Sequence, residues 1–222
     1  MDKAMDAFTP TKKTRIKRLP KRAHYDKESV YKILDAGAIC HVGYVIDGSP
    51  YVTPTSYWRH GNRVYWHGSS ASRMLRTLEG GVPACLTVIH IDGFVLARSG
   101  FHHSINYRSV MAFGTARLVE SKAEKIEALE HFTERLFPGR WQEIREPSEQ
   151  EIKATKVLWM ELEEVSAKVR TGPPVDDEPD YALPCWAGVL PVSIATGTPI
   201  PDPRLPAGTP LPAYFNHFKL GA

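Results

Sequence analysis

The stretch AICHVGYVIDGSPYVTPTSYWRHGNRVYWH, residues 38–67, decides the fold. Ala38–Ile46 is rich in branched residues, and Asp47-Gly48 is the dipeptide of a tight hairpin turn. Tyr51–Arg59 is a second strand, Gly61-Asn62 a second turn, and Arg63–His67 a third strand. Three strands with such short connections form an antiparallel meander, because parallel neighbours need crossovers of a dozen residues or more.

Reading outward from the meander gives the rest of the order. Upstream, Asp26–Asp35 is a helix with Val30, Ile33 and Leu34 on one face, Asp26 as its cap, and Gly37 ending it. Downstream, a short helix spans about Ala71–Gly80, and Pro83–Ile91 is a strand turned by Asp92-Gly93 into Phe94–Arg98. A loop follows, then a long strand Val110–Val119 in which Gly114 marks a close approach. Ser121–Phe137 is the clearest helix, opened by Ser121 with Glu124, and Ser148 with Glu151 starts another short one. Thr155–Glu163 is the last strand. Hairpin-linked strands with a few peripheral helices describe a mostly β protein, an antiparallel barrel rather than alternating parallel units.

Three regions follow: a flexible basic arm over residues 1–22, a barrel domain over 23–172, and a Pro-rich tail over 173–222. The 222 residues are 42% hydrophobic and 24% charged, a globular balance. The net charge of +3 is concentrated in Lys12, Lys13, Arg15, Lys17, Arg18, Lys21 and Arg22; without these seven the remainder stands at −4. The arm lacks interleaved aromatics, so a nucleic-acid partner is not expected. No run approaches the roughly 20 apolar residues of a membrane helix, and no apolar core follows the basic residues as in a secretory signal. Cys40, Cys85 and Cys185 fit no metal or disulfide spacing. These features predict a cytoplasmic protein with reduced thiols and no membrane contact.

The familiar nucleotide and hydrolase motifs are absent: no Gly-x-Gly-x-x-Gly, no Walker loop, no His-Glu-x-x-His, no Gly-x-Ser-x-Gly. Three other segments carry chemistry. In Tyr65–Arg73 a strand ends in Gly68-Ser69-Ser70-Ala71-Ser72 and feeds a helix that begins near Arg73. Backbone N–H groups, hydroxyls and a guanidinium converge there, which suits a phosphate; serines before a helix also serve as ordinary caps. Ala97–Val110 is a polar, aromatic connection containing His102, His103, Tyr107, Arg108 and Ser109, where ligand binding and an interface are equally served. Its adjacent histidines point to opposite faces if extended, and no carboxylate or cysteine completes a metal set, so no metal is expected. Pro54-Thr55-Ser56-Tyr57 lies on the second strand, where proline demands an edge or a bulge and a flat ring could lie against the backbone.

Together and in this order, Pro54–Tyr57, Tyr65–Arg73, Asn106–Ala116, Glu124-Lys125 and Cys185–Pro191 resemble the pyridoxamine 5′-phosphate oxidase-like family of split β-barrel flavin proteins. They are most similar to its flavin-nucleotide-binding branch, to which nitroimidazole-resistance reductases are related. The resemblance covers about Tyr25–Arg170 and implies a homodimer with flavin mononucleotide (FMN) between subunits. It implies Arg73, with Ser69 and Ser72, on the phosphate, and Pro54, Thr55, Ser56 and Tyr57 along the ring. It further implies a polar contact from Ser109 and contributions from His67, Tyr107 and Arg108. His103 and Tyr107 are the nearest proton donors to that ring, and Trp186 would stack near it to shape access. An FMN-dependent oxidoreductase acting on a small flat molecule, with NAD(P)H as reductant, is the leading expectation. A flavin-binding sensor, or the same barrel holding haem or the deazaflavin F420, are the alternatives.

The chain departs from the oxidases themselves. Arg63-Val64-Tyr65-Trp66-His67 replaces their strand rich in arginine and lysine, and Arg204-Leu205-Pro206 lacks the tryptophan motif that precedes their substrate-binding pair. Pyridoxamine phosphate oxidation is therefore not carried over.

Overall fold

The computed structural model describes residues 6–216, 218, 220 and 221. Its strands are β1 (Ala23–His24), β2 (Ile39–Ile46), β3 (Ser49–His60), β4 (Arg63–Ser69), β5 (Pro83–Leu96), β6 (Ser104–Thr115), β7 (Arg117–Leu118), β8 (Thr155–Glu161), β9 (Glu164–Arg170) and β10 (Gly188–Pro191). The helices are α1 (Lys27–Asp35), α2 (Arg73–Leu78), α3 (Lys122–Leu136), α4 (Arg140–Glu143) and α5 (Glu149–Ala154). All strand pairs are antiparallel, in the order β1-β9-β6-β5-β2-β3-β4-β8-β7, with β10 paired to β5. No described helix is long and apolar enough to cross a membrane.

The meander forms as its turns dictate. Asp47 and Gly48 adopt φ 48° and 78°, the doubly left-handed geometry that twists with its strands. β3 is long enough to serve two sheets: Ser49–Ser56 pairs with β2, and Tyr57–His60 pairs with β4. Pro54 lies in the half of β3 without a second neighbour, where a missing N–H costs no ladder bond. The curled sheet closes where β6 meets β8. A Cβ at Gly114 would lie 2.6 Å from Met160 Cγ, so only glycine permits that approach. Inside, Tyr57, Trp66, Leu86, Leu158 and Met160 are fully buried with α1 and α2 packed on the open ends. Each such side chain contributes about 1.5–3 kcal/mol by leaving water. A second cluster of Trp58, Val119, Ala128 and Val157 glues α3 to the other face of β4 and β8.

The helix signals hold: Asp26 accepts from Ser29 N–H at 2.8 Å, Ser121 from Glu124 N–H, and Ser148 with Glu151 forms a reciprocal box. Three strand expectations do not. Asp92-Gly93 is a β-bulge inside one continuous β5, not a hairpin turn. The Asp92 carboxylate is claimed by Arg108 across the ladder, and Gly93 leaves room for β10, where an added Cβ would lie 3.0 Å from Leu190 O. β6 begins at Ser104, so most of the expected loop is strand. β9 was not foreseen; it follows β8 after two residues and covers β6.

Residues 6–22 run along the barrel, with Phe8 in the main core and Ala7 bridged to Asp26. From Gly172 the chain wraps the barrel as a strap. Asp176, its side chain fully enclosed, accepts from the Arg98 backbone N–H at 2.9 Å and the Arg98 guanidinium at 3.0 Å. β10 then pairs with Gly93–Leu96. The end of the chain returns to α1, where Gly221 N–H donates to Ala36 O and Gly221 O accepts from Arg108, each at 2.8 Å.

Candidate functional site

The convex face of the sheet gathers the residues that could hold a flat ligand. Register places Pro54, His41, Thr87, Met111 and Ser166 in one cross-strand row. Ser56 stands opposite Ile39 at the start of β2, while Ile89, Ser109 and Lys168 continue the neighbouring row. A water-facing sheet side is ordinarily polar. Here Ile39, Ile89 and Met111 remain 53%, 57% and 43% exposed, which marks a face built to be covered. Ser109 Oγ donates to Lys168 O at 3.2 Å, and Tyr107 follows on the same face opposite Arg170.

Alternation divides the expected residues. Pro54 and Ser56 point outward, whereas Thr55 and Tyr57 lie on the opposite phase of β3. Tyr57 is fully buried and donates to Leu34 O; burial pushes its hydroxyl pKa far up, so it stays protonated. Tyr57 thus anchors α1, aided by Arg135, whose guanidinium donates to Tyr57 O at 3.0 Å and Asp35 O at 2.8 Å. Arg108 points away from Tyr107 and Ser109 and is consumed by Asp92 and Gly221. His67 leaves the β4 turn on the α3 side, its ring centroid 4.9 Å from Phe132 and 5.7 Å from Trp58. Its Nδ1 is buried without a partner, and burial lowers its pKa.

The β4–α2 turn spends its backbone donors within the fold, Ser70 N–H donating to Ala154 O at 2.7 Å. Ser69 O accepts from Ser72 N–H at 2.9 Å, and Ser69 Oγ from Ala71 N–H at 3.2 Å. Ser72 caps α2 by position only, so its hydroxyl is uncommitted. Arg73 meets no carboxylate among the described residues; its guanidinium lies 4.7 Å from the Tyr51 ring centroid. A cation without a counter-charge beside free hydroxyls is suited to an anion.

Just before β6, His103 Nδ1 lies 2.9 Å from Ser99 O. Since a carbonyl only accepts, that nitrogen carries the proton, and Nε2 has no partner among the described residues. Phe101 beside it is 91% exposed, and Trp186 of the strap is 68% exposed. A separate cavity of about 680 Å³ between α3 and β8 is lined by Arg63, Tyr65, Trp159 and the stacked rings of His60 and His131, centroids 3.8 Å apart. Burial, and then His131, lower the His60 pKa. Among the described residues no cluster of three or more metal-binding side chains occurs.

The sequence did not single out Ile39, His41, Ile89 or Met111. Their signal is that β2 and β5 are apolar on both phases although neither is sandwiched between helices.

A curled antiparallel barrel with an uncovered apolar face and a serine-arginine turn defines the split-barrel class. The chain belongs to the pyridoxamine 5′-phosphate oxidase family, whose model matches residues 26–169. Over its whole length it is similar to the flavocytochrome Anf3 from Azotobacter vinelandii, at 47% identity and TM-score 0.91, covering 96% of this chain and 100% of that one. The FAD- and haem-binding protein from Mycobacterium smegmatis is 35% identical, with TM-score 0.85 and coverage of 89% and 97%. A protein from Bacteroides thetaiotaomicron described for 5-nitroimidazole antibiotic resistance shares the fold at 22% identity and TM-score 0.54, covering 66% of this chain and 86% of that one. No curated protein sequence matches the chain.

Proposed function

We propose that this protein is a flavin- and haem-carrying redox protein that works as a homodimer. The observation that carries the reading is the strap. The family match ends at residue 169, yet the two relatives named for haem together with flavin cover 96% and 89% of this chain, so both reach into the strap. The flavin-only expectation from the sequence is thereby widened to two cofactors.

The chain's residues fit a flavin. Pro54, Ser56, Ile39 and Ile89 offer an apolar floor with hydroxyls at its border, and a second copy laid on this face would bury it. Arg73, Ser69 and Ser72 would receive the phosphate, for which FMN is the smallest sufficient ligand. When bound, the flavin accepts a hydride or single electrons, and the protein sets its orientation and access. Ser109 and Tyr107 lie on the same face and would hold polar edges of the ring or of the substrate. The reductant would be NAD(P)H or another small donor.

The residues also fit a haem. His103 keeps Nε2 free of protein partners among the described residues, its ring fixed through Nδ1 as in most metal-binding histidines, two residues from the exposed ring of Phe101.

The deciding experiment is the visible spectrum of purified protein, before and after adding flavin and hemin. A two-band flavin spectrum with a Soret band, and loss of the Soret band alone in His103→Ala, is the expected result. A colourless protein that binds neither added cofactor would overturn the reading.

A further inference from the structure

The N-terminal arm carries charge that the fold leaves uncompensated. From Ala7 to Tyr25 the sequence holds seven lysines and arginines and no aspartate or glutamate. Among the described residues only Lys13 of the seven has a carboxylate partner, Glu164 at 2.6 Å. Lys12, Arg15, Lys17, Arg18 and Lys21 are exposed, and Arg22 is half-buried. A basic run of this kind is ordinarily a solvated tail. Here it is tied to the barrel. Tyr25 Oη accepts from Ile16 N–H at 2.9 Å and donates to Thr14 O at 3.3 Å, Thr11 N–H donates to Thr14 Oγ1 at 2.8 Å, and Phe8 lies in the core. Like charges held in place repel, and an anionic surface laid across them relieves that repulsion.

The arm also borders the face that the flavin reading uses. Ala23 is paired with Lys168, Lys168 with Ser109 and Ser109 with Ile89, in one cross-strand row. Neighbouring strands lie about 4.8 Å apart, so the arm enters the sheet about 10 Å from Ser109. A cavity of about 430 Å³, lined by Arg15, Lys17, Pro20 and Tyr25, opens among the cations.

The pattern chooses among anions. Cations spread from Lys12 to Arg22 exceed what one phosphate group uses. The arm offers no long helix or ribbon to a DNA groove, since its one regular turn is Pro20–Arg22. Phe8 is buried, so no run of exposed rings serves a single strand. Leu19, 46% exposed, is the one large apolar side chain that this stretch shows to water, too little to enter a bilayer. A carboxylate-rich protein surface fits, with its acids on the separate cations and one of them in the cavity.

We infer that the arm is the docking surface for an acidic electron-carrier protein. The inference rests on the flavin reading above and adds a protein to the small donors named there. Each encounter passes one electron from the carrier's reduced iron–sulfur or flavin centre, which is oxidised, to the flavin on the Ser109 face, with no bond made or broken. Charge-steered contacts of this kind are small, fast and salt-labile, as suits a carrier that must leave after each transfer.

Calorimetric titration of the full-length protein with an acidic [2Fe–2S] ferredoxin, and separately with an acidic flavodoxin, tests this. At least one carrier should bind in about 0.02 M salt and weaken about tenfold or more in about 0.2 M. Arg15→Glu combined with Arg18→Glu should weaken it about tenfold in low salt, with the visible spectrum and the urea midpoint unchanged. Lys32→Glu combined with Lys153→Glu makes the same change of charge at exposed positions of α1 and α5, and should cost less than about twofold. If the reversed arm fails to fold by circular dichroism, Arg15→Gln with Arg18→Gln takes its place, with an expected loss of about threefold. Binding of neither carrier, or equal weakening by the arm pair and the helix pair, would overturn the docking surface. So would tighter retention of a DNA duplex or of phosphatidylserine vesicles at the same salt. A shift from dimer to monomer in the arm variant, read by sedimentation, would instead make the arm a contact between copies and overturn it too. If a carrier binds as expected while the protein takes up no flavin, the flavin reading falls and the electron transfer with it, and the acidic docking surface stands.

Discussion

Between Tyr25 and Arg170 the chain buries three large aromatic rings completely, those of Tyr57, Trp58 and Trp66, together with Leu86, Leu158 and Met160. From Gly172 to Gly221 the one described residue that is buried is an acid, Asp176. The barrel is held by area removed from water, which is non-directional and large. The strap is held by a few directional contacts: the Arg98–Asp176 clasp, four residues of ladder, and the Arg108–Gly221 bond. Two regions of one chain can thus share a surface and differ widely in how they are lost. Segments with few buried apolar contacts open at lower free energy than the core.

The comparison breaks first on Trp66→Ala. Emptying that site should destabilise the barrel by about 3–5 kcal/mol in urea unfolding; a cost below that of any strap variant would reverse the order proposed. Arg135→Ala should come next. It strips a charged donor from the carbonyls of Tyr57 and Asp35, at about 2 kcal/mol by the same measurement.

Asp176→Asn sharpens the contrast, because it should leave the urea midpoint of the barrel in place while β10 amides lose protection from hydrogen exchange. Burial opposes ionisation of Asp176, but the backbone N–H and guanidinium of Arg98 outweigh it and hold the carboxyl below its ordinary 3.8. A depressed carboxyl stabilises above its unfolded pKa and ceases to do so as pH falls through the folded value. β10 protection in the unaltered chain should therefore drop in acid below about pH 4, and in Asp176→Asn it should be low and flat across that window. Trp186→Ala carries the smallest effect. At 68% exposed, the ring should change unfolding free energy by no more than about 0.5 kcal/mol, checked in the same denaturation series.

How much of this was legible beforehand depends on whether a signal is local. Caps and turns are local, so Asp26, Ser121, Ser148 and Asp47-Gly48 fell where the sequence put them. Asp92-Gly93 carries the same dipeptide as Asp47-Gly48 but is overruled by Arg108, sixteen positions away, and by a strand nearly a hundred positions on. β9 was missed because Val165, Ala167 and Val169 gain their alternation only against β6. At the site, Pro54, Ser56, Tyr107 and Ser109 share a face, while Tyr57 and Arg108 do not. Naming residues by segment ignores the phase of a strand, and phase is fixed by which side is buried. The convex face itself was invisible to a search for motifs, since its mark is apolar residues where polar ones are usual.

The pairing of β10 with Gly93–Leu96 has a consequence for solubility. Beyond Thr87 the β2 ladder has left β5, and without the strap the outer edge of Gly93–Leu96 would show bare N–H and C=O groups beside exposed Phe94. An open, apolar strand edge is a template for other chains. The strap hides this edge with the chain's own residues, and Val192 N–H, donating to Asp92 O at 3.1 Å, carries the cover one bond past the added strand.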